Sequence, residues 1–363
     1  MTDTRVKHLS NFSDSQITTF LRSNYFSELS VHPRIEKLSS IDPEASYFGS
    51  EIVVVDRKYL VKEILLENIN KSEKSLEAKS EVLRHLAQQG VPVLIPVRSL
   101  EGRSYAWISY EEEKDRHLVE VTEFYSNGEK CSKLESQIEE VGDAVGRVTK
   151  GLLSVPLELK QRVLARESRW QSFTNEKTGR DFREELREYR EQVGTVGGEL
   201  EEAIRNVLEP TIKEYERYTS EPAPEVPTGL VHQDIQEYNM IFDRSTKKLV
   251  AIIDWDSMEK RPRVYDAAYT LDRMAFIDPD RKTIHVDRAE KFLHAFSRHY
   301  QMSTKEEIAM FDVLINNTLR NVCGILRDVF QNGFKHPNYP YYLELLDVGR
   351  MRRLSKELFG ETK

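Results

Sequence analysis

The stretch 229–268 constrains this chain more than any other part of it. Two short apolar runs, 240–242 and 249–253, are separated by the polar residues 243–248. A polar break between two such runs predicts a hairpin. A hairpin gathers the residues at its base, so Asn239 is expected near Asp254. An Asn carbonyl and an Asp carboxylate form a hard oxygen pair suited to magnesium, which keeps several waters and takes further ligands from phosphates. Asp234 lies five residues before Asn239, in a polar loop that also holds His232. That spacing lets Asp234 lie beside a metal without ligating it, where a base facing a hydroxyl belongs. Taken singly, Asp and Asn in loops are mostly turn and cap residues. The weight rests on the combination: His232-x-Asp234, then Asn239, a hairpin, and an apolar strand ending in Asp254.

The rest of the chain sets the frame for that stretch. With 363 residues it is long enough for two packed lobes. Residues 10–24 read as an amphipathic helix with Ile17, Phe20 and Leu21 on one side. From about 35 to 124 the pattern is mostly strands. Runs 51–55 and 59–65 flank the turn-forming Asp56, Arg57 and Lys58, and 104–110 and 117–124 form a second hairpin. A helix over 75–89 intervenes, stopped by Gly90, with a strand expected after Val91-Pro92-Val93. Beyond the breaker Ser126-Asn127-Gly128 the chain turns helical, at 133–153, through 157–218 with an interruption at 194–198, and from Asp266 onward. The fold class expected is therefore α+β, with a mixed antiparallel-sheet N-lobe over residues 1–125 and a mainly helical C-lobe over 126–363.

Composition narrows the partners. A net charge of −8 lacks the basic field with which a nucleic-acid binder neutralises phosphates. The first 20 residues hold no apolar core of a signal peptide, and no apolar run reaches the ~20 residues needed to cross a bilayer. Cys131 and Cys323 make neither a disulfide framework nor a zinc site. The expectation is a cytoplasmic protein with no nucleic-acid or membrane partner.

Three blocks then carry a resemblance: His232-Gln233-Asp234 with Asn239, Ile253-Asp254-Trp255, and Tyr265-Asp266-Ala267-Ala268. In this order and spacing they resemble the aminoglycoside phosphotransferase and choline kinase superfamily, including its homoserine-kinase-like and sugar-kinase-like members. The resemblance implies a protein-kinase-like two-lobed fold and transfer of the γ-phosphate of ATP or GTP, with Mg2+, to a hydroxyl of a small molecule. It makes Asp234 the group that accepts or orients the proton of that hydroxyl. Asn239 and Asp254 become the magnesium ligands, as in the kinase template for phosphoryl transfer. His232 is architectural, and Asp266 caps the following helix and ties down the loop. The alternative, a catalytically silent nucleotide-binding regulatory protein of the same fold, has no use for Asp234.

In the N-lobe the resemblance makes Lys62 the lysine that reaches the nucleotide's α- and β-phosphates. Its acidic partner should lie on the next helix, where Glu77 and Glu81 stand one turn apart, with Glu81 preferred. Glu123, Phe124 and Tyr125 match the interlobe hinge, whose backbone groups would bond adenine. Two departures stand out. The phosphate-covering loop 39–50 has one glycine, Gly49, and Gln233 stands where glycine is common. Helical segments 157–218 and 285–355 are expected to wall the acceptor, which is a sugar, amino alcohol, aminoglycoside or hydroxy amino acid.

Overall fold

The computed structural model describes residues 12–30, 32–38, 52–64, 73–109, 116–131, 134–163, 181–220, 225–275, 285–346, 349, 353 and 356–358. The loop 39–50, expected to cover the phosphates, and part of the segment 157–218 lie outside the described residues. The chain divides into two compact units. One comprises 1–132, 154–166 and 238–255, and the other 133–153, 167–237 and 256–363. The division differs from a single cut at 125/126, because 154–166 and the hairpin 238–255 group with the first unit.

The first unit is built on a five-stranded sheet. Its strands are β1 (Ile35–Lys37), β2 (Ile52–Val55), β3 (Tyr59–Ile64), β4 (Ala106–Ser109) and β5 (Arg116–Glu123), in the order β1-β2-β3-β5-β4. All its pairings are antiparallel. The β2–β3 turn forms where sequence predicts it. Asp56 and Arg57 both take left-handed backbone angles (φ 52° and 53°), and the Lys58 N–H closes on the Val55 carbonyl at 3.0 Å. Two successive left-handed residues match the twist of a tight hairpin. Helix α1 (Asp14–Asn24) starts with a capping box in which Ser13 and Gln16 satisfy each other's backbone N–H groups. Its Ile17, Phe20 and Leu21 pack with Val53, Val55, Val61, Val119 and Val121 of the sheet. Each such side chain contributes roughly 1.5–3 kcal/mol by leaving water. Helix α2 (Glu73–Gln88) lays Leu76 in a cluster with Ile64, Tyr105 and Leu118.

The same unit holds a smaller sheet, β6-β8-β9, made by β6 (Gly128–Lys130), β8 (Met240–Asp243) and β9 (Leu249–Ile252). The β8–β9 hairpin was legible in sequence; β6, only three residues long, was not. Where a strand was expected after Val91, the structure has one parallel bridge, Val93 to Ile252, backed by an Ile252 N–H to Pro92 carbonyl bond of 2.8 Å. Two prolines, Pro92 and Pro96, remove the ladder donors a longer strand would need. Helix α4 (Leu157–Val163) packs beside α2.

The second unit is mainly helical. Its helices are α3 (Leu134–Ser154, almost all within it), α5 (Phe182–Gln192), α6 (Gly198–Ser220), α7 (Tyr265–Ala275), α8 (Val286–Ser297), α9 (Thr304–Phe330) and α10 (Tyr339–Leu345). Gly142 and Gly146, one turn apart on α3, let that helix meet α8 at backbone distance. A Cβ on Gly142 would stand 2.3 Å from the Phe292 carbonyl oxygen, and one on Gly146 2.7 Å from that of Phe296. A two-stranded sheet of β7 (Thr228–Val231) and β10 (Glu259–Pro262) completes the unit. Strand β7 leads directly into the loop of His232 and Asp234. Val231 packs with Val264, Tyr265 and Val313, which fixes the entry to that loop in the core.

Candidate active site

The loop 232–235 hangs on helix α7 residue by residue. The His232 and Gln233 N–H groups donate to the two oxygens of the Asp266 carboxylate, each at 2.8 Å. The Tyr269 hydroxyl donates to Asp234 Oδ1 at 2.8 Å, and the Thr270 hydroxyl to the Ile235 carbonyl at 2.9 Å. Asp266, Tyr269 and Thr270 fall at i, i+3 and i+4, one face of the helix. His232 is fully buried, and its Nδ1 accepts the Asp234 N–H at 3.2 Å. Its architectural role is thus exercised on the loop itself. Asp266 ties down the loop as expected, but from inside the first turn of α7 rather than as its cap. Burial pushes its carboxyl up to about 6; the two N–H donors pull the other way, and the Asp234 charge adds to the rise.

Gln233 explains why glycine suits its position. Its φ is +78°, in the left-handed region that side chains avoid. The strained residue is retained by its amide, which donates to the Ser257 carbonyl and to Glu259 Oε2 at 3.0 Å.

The two residues expected to hold a metal, Asn239 and Asp254, lie in the first unit. Asn239 ends a short 3-10 turn, Glu237–Asn239, and is buried. Its carbonyl accepts the Ile253 N–H at 2.9 Å, so the hairpin base joins Asn239 to the residue just before Asp254. Asp254, like Gln233, has a left-handed backbone (φ +62°), and its side chain is 43% exposed. Lys62 Nζ lies 3.1 Å from Asp254 Oδ1. The structure therefore brings together Lys62 and Asp254, 192 positions apart, at the hairpin base where Asn239 bonds the neighbouring Ile253. Among the described residues no group of three or more His, Cys, Asp or Glu side chains could hold a metal. An amide oxygen with an exposed carboxylate still fits magnesium, since that ion draws its remaining ligands from phosphate and water. Asp256 lies in the 3-10 turn Trp255–Ser257.

Both glutamates expected as partners of Lys62 bond other groups. Glu81 grips Arg162 through both oxygens, at 2.8 and 3.0 Å, and Glu77 accepts from the Ser104 N–H and hydroxyl at 2.6 and 3.1 Å. Both glutamates flank the buried stripe of α2 rather than occupying it. The charged residue within that stripe is Lys79, 6% exposed and 3.2 Å from Glu120 of β5. Glu120 stands directly opposite Lys62 in the β3–β5 ladder. The helix thus supplies an ammonium and the sheet a carboxylate, the reverse of the expected polarity. The signal was in the sequence: Leu76, Lys79, Leu83 and Leu86 share one helical face, and a lysine buried there needs an acid.

Residues 123–125, expected as the hinge, are engaged internally as well. Tyr125 donates its hydroxyl to Asp243 Oδ2 at 2.5 Å, and its carbonyl accepts the Gly128 N–H at 3.0 Å. The Phe124 N–H donates to the Lys58 carbonyl at 2.7 Å, and Glu123 pairs with Tyr59 in the ladder. Tyr125 therefore anchors β8 through its side chain. Its hydroxyl, the Thr246 N–H and the Asn127 amide together hold the Asp243 carboxyl well below the usual carboxylate range.

Comparison with known proteins agrees with this layout. Residues 52–311 match the model of the phosphotransferase enzyme family (APH), well over half of the chain, and the chain belongs to that family. Its fold is the α+β, protein-kinase-like two-lobed fold. Among solved structures, spectinomycin phosphotransferase bound to ADP and spectinomycin matches with a TM-score of 0.65 at 13% identity, over 96% of this chain and 99% of that one. Amicoumacin kinase matches with 0.60 at 12% identity, over 96% and 94%. A microcompartment-associated aminopropanol kinase matches with 0.60 at 14% identity, over 95% and 99%. No curated protein matches the chain by sequence. No helix among the described residues is long and apolar enough to cross a membrane.

Proposed function

We propose that this protein is a cytoplasmic kinase that transfers the γ-phosphate of ATP or GTP to a hydroxyl of a small molecule. The observation that carries this reading is the Lys62–Asp254 pair at 3.1 Å, at the base of the hairpin that also bears Asn239. An ammonium beside a carboxylate, with an asparagine at the same hairpin base, suits a magnesium-bound polyphosphate. Bound there, magnesium supplies charge neutralisation for the phosphates. Asn239 and Asp254 are its protein ligands, and Lys62 is the point charge on the phosphate oxygens. Asp234 accepts the proton of the attacking hydroxyl. The family supports phosphotransfer, and spectinomycin and aminopropanol, named for two similar structures, direct attention to small alcohols.

The test is direct. The protein is incubated with magnesium, ATP or GTP, and a pool of neutral sugars, amino alcohols, aminoglycosides and hydroxy amino acids, and products are read by mass. The expected result is a gain of about 80 Da on one class of alcohol, abolished by chelating magnesium. Phosphate found only on added protein or RNA would overturn the substrate class. No product and no nucleotide consumption with any alcohol would overturn the activity.

A further inference from the structure

We infer that Tyr269 is the residue that positions Asp234 for catalysis, an inference that rests on the proposed role of Asp234 as base. Helix α7 fixes the backbone of the loop with Asp266 and Thr270. Those bonds hold residues 232, 233 and 235 but not the carboxylate of Asp234. A carboxylate rotates about its last bond in a broad, roughly two-fold well. The Tyr269 hydroxyl, 2.8 Å from Oδ1, is an α7 contact made to that carboxylate itself.

The phenol is suited to this task. Burial, with Asp234 and Tyr265 nearby, pushes Tyr269 well above its ordinary range, against the opposing charge of Arg273. It therefore remains a neutral donor. Its ring has two neighbours, the Arg273 guanidinium 5.2 Å from the centroid and Tyr265 stacked at 6.0 Å. Asp266 stands one turn back on the same helix, and His232 lies at the base's own backbone. A donor this constrained sets the plane of the carboxylate that it binds. Hydrogen bonds to charged groups are strong enough that losing one lowers a rate by roughly 10–100-fold when it orients the reacting group.

Tyr269→Phe keeps the ring and removes only the hydroxyl. Two readouts decide the role. In a crystal structure of Tyr269→Phe, the Asp234 carboxylate is expected to rotate or spread over more than one orientation while residues 232–235 keep their backbone path. Transfer to the pooled alcohols is expected to fall roughly 10–100-fold in kcat with the KM for nucleotide unchanged. In an Asp234→Asn background, Tyr269→Phe should cost little further, because both changes remove the same function. A single unchanged Asp234 orientation in Tyr269→Phe would overturn the inference, and decides alone if no pooled alcohol is turned over. Normal transfer in Tyr269→Phe beside a collapse in Asp234→Asn would also overturn it, while leaving the base assignment standing. Normal transfer in Asp234→Asn would remove the base assignment, and the role of Tyr269 with it.

Discussion

Residues 232–235 are each bonded to α7, and the helix offers Asp266, Tyr269 and Thr270 on one face to do it. Lys62, by contrast, reaches an Asp254 side chain that is 43% exposed, and both belong to a sheet unit whose supporting charges are inverted. The loop is preorganised, with its groups satisfied within the protein. The Lys62–Asp254 pair joins a largely covered lysine to a half-exposed carboxylate, and under the proposed function a polyphosphate and its metal would separate and engage them. A base must be held before the acceptor arrives, since orientation lowers the barrier only if its entropy is already spent. A nucleotide brings its own charge and organises the groups that bind it.

The largest effect expected on the sheet side is at Lys79. Removing one partner of the buried Lys79–Glu120 pair leaves an uncompensated charge, so Lys79→Met should destabilise by about 3–5 kcal/mol in urea unfolding. The double variant Lys79→Met with Glu120→Leu should recover most of that loss. Failure of the double variant to recover would mean that Glu120 is needed opposite Lys62, and that the inverted pair serves the lysine and not only the fold.

On the loop side the corresponding test is pH. The Asp266 carboxyl sits at about 6 in the folded protein because it is buried, against about 3.9 when unfolded. Between those values the folded state binds more protons than the unfolded one, so stability should fall as pH rises from about 4 to 6. Asp266→Asn should flatten that slope, measured by urea unfolding across the window. A slope that persists unchanged in Asp266→Asn would place the titrating group elsewhere.

The smallest effect is expected at Gln233. A left-handed non-glycine residue costs about 1–3 kcal/mol, and its two amide bonds return about 1 kcal/mol each. Gln233→Gly removes both, and its unfolding midpoint should correspond to a change within about 1 kcal/mol. A loss above about 2 kcal/mol would show that the amide bonds, not backbone strain, dominate the position.

What could be read from sequence follows distance along the chain. Asp234, Asn239 and Asp254 lie within 21 residues and keep polar chemistry between apolar strands, so the hairpin that gathers Asn239 and Asp254 at its base was visible locally. Lys62 was visible only through the resemblance, and the surroundings of α2 were not legible. The helix period puts Glu77 and Glu81 one turn apart but does not say which face meets the sheet; Lys79 in the apolar stripe does. Tyr269 is 35 residues from Asp234, and nothing short of the packed helix brings them together. Strand β6 escaped for a related reason: three residues carry no period, and their partners on β8 are more than 100 positions away.

Magnesium-dependent nucleotide binding tests the central claim most directly, by thermal shift on the parent, Asp254→Ala and Asp234→Asn. Ligand at 100 times its Kd stabilises a folded protein by about 2.7 kcal/mol, which is easily read. Magnesium with ATP or GTP should raise the melting temperature of the parent and of Asp234→Asn, and leave that of folded Asp254→Ala unmoved. A folded Asp254→Ala that is stabilised by the magnesium nucleotide as strongly as the parent would contradict that claim.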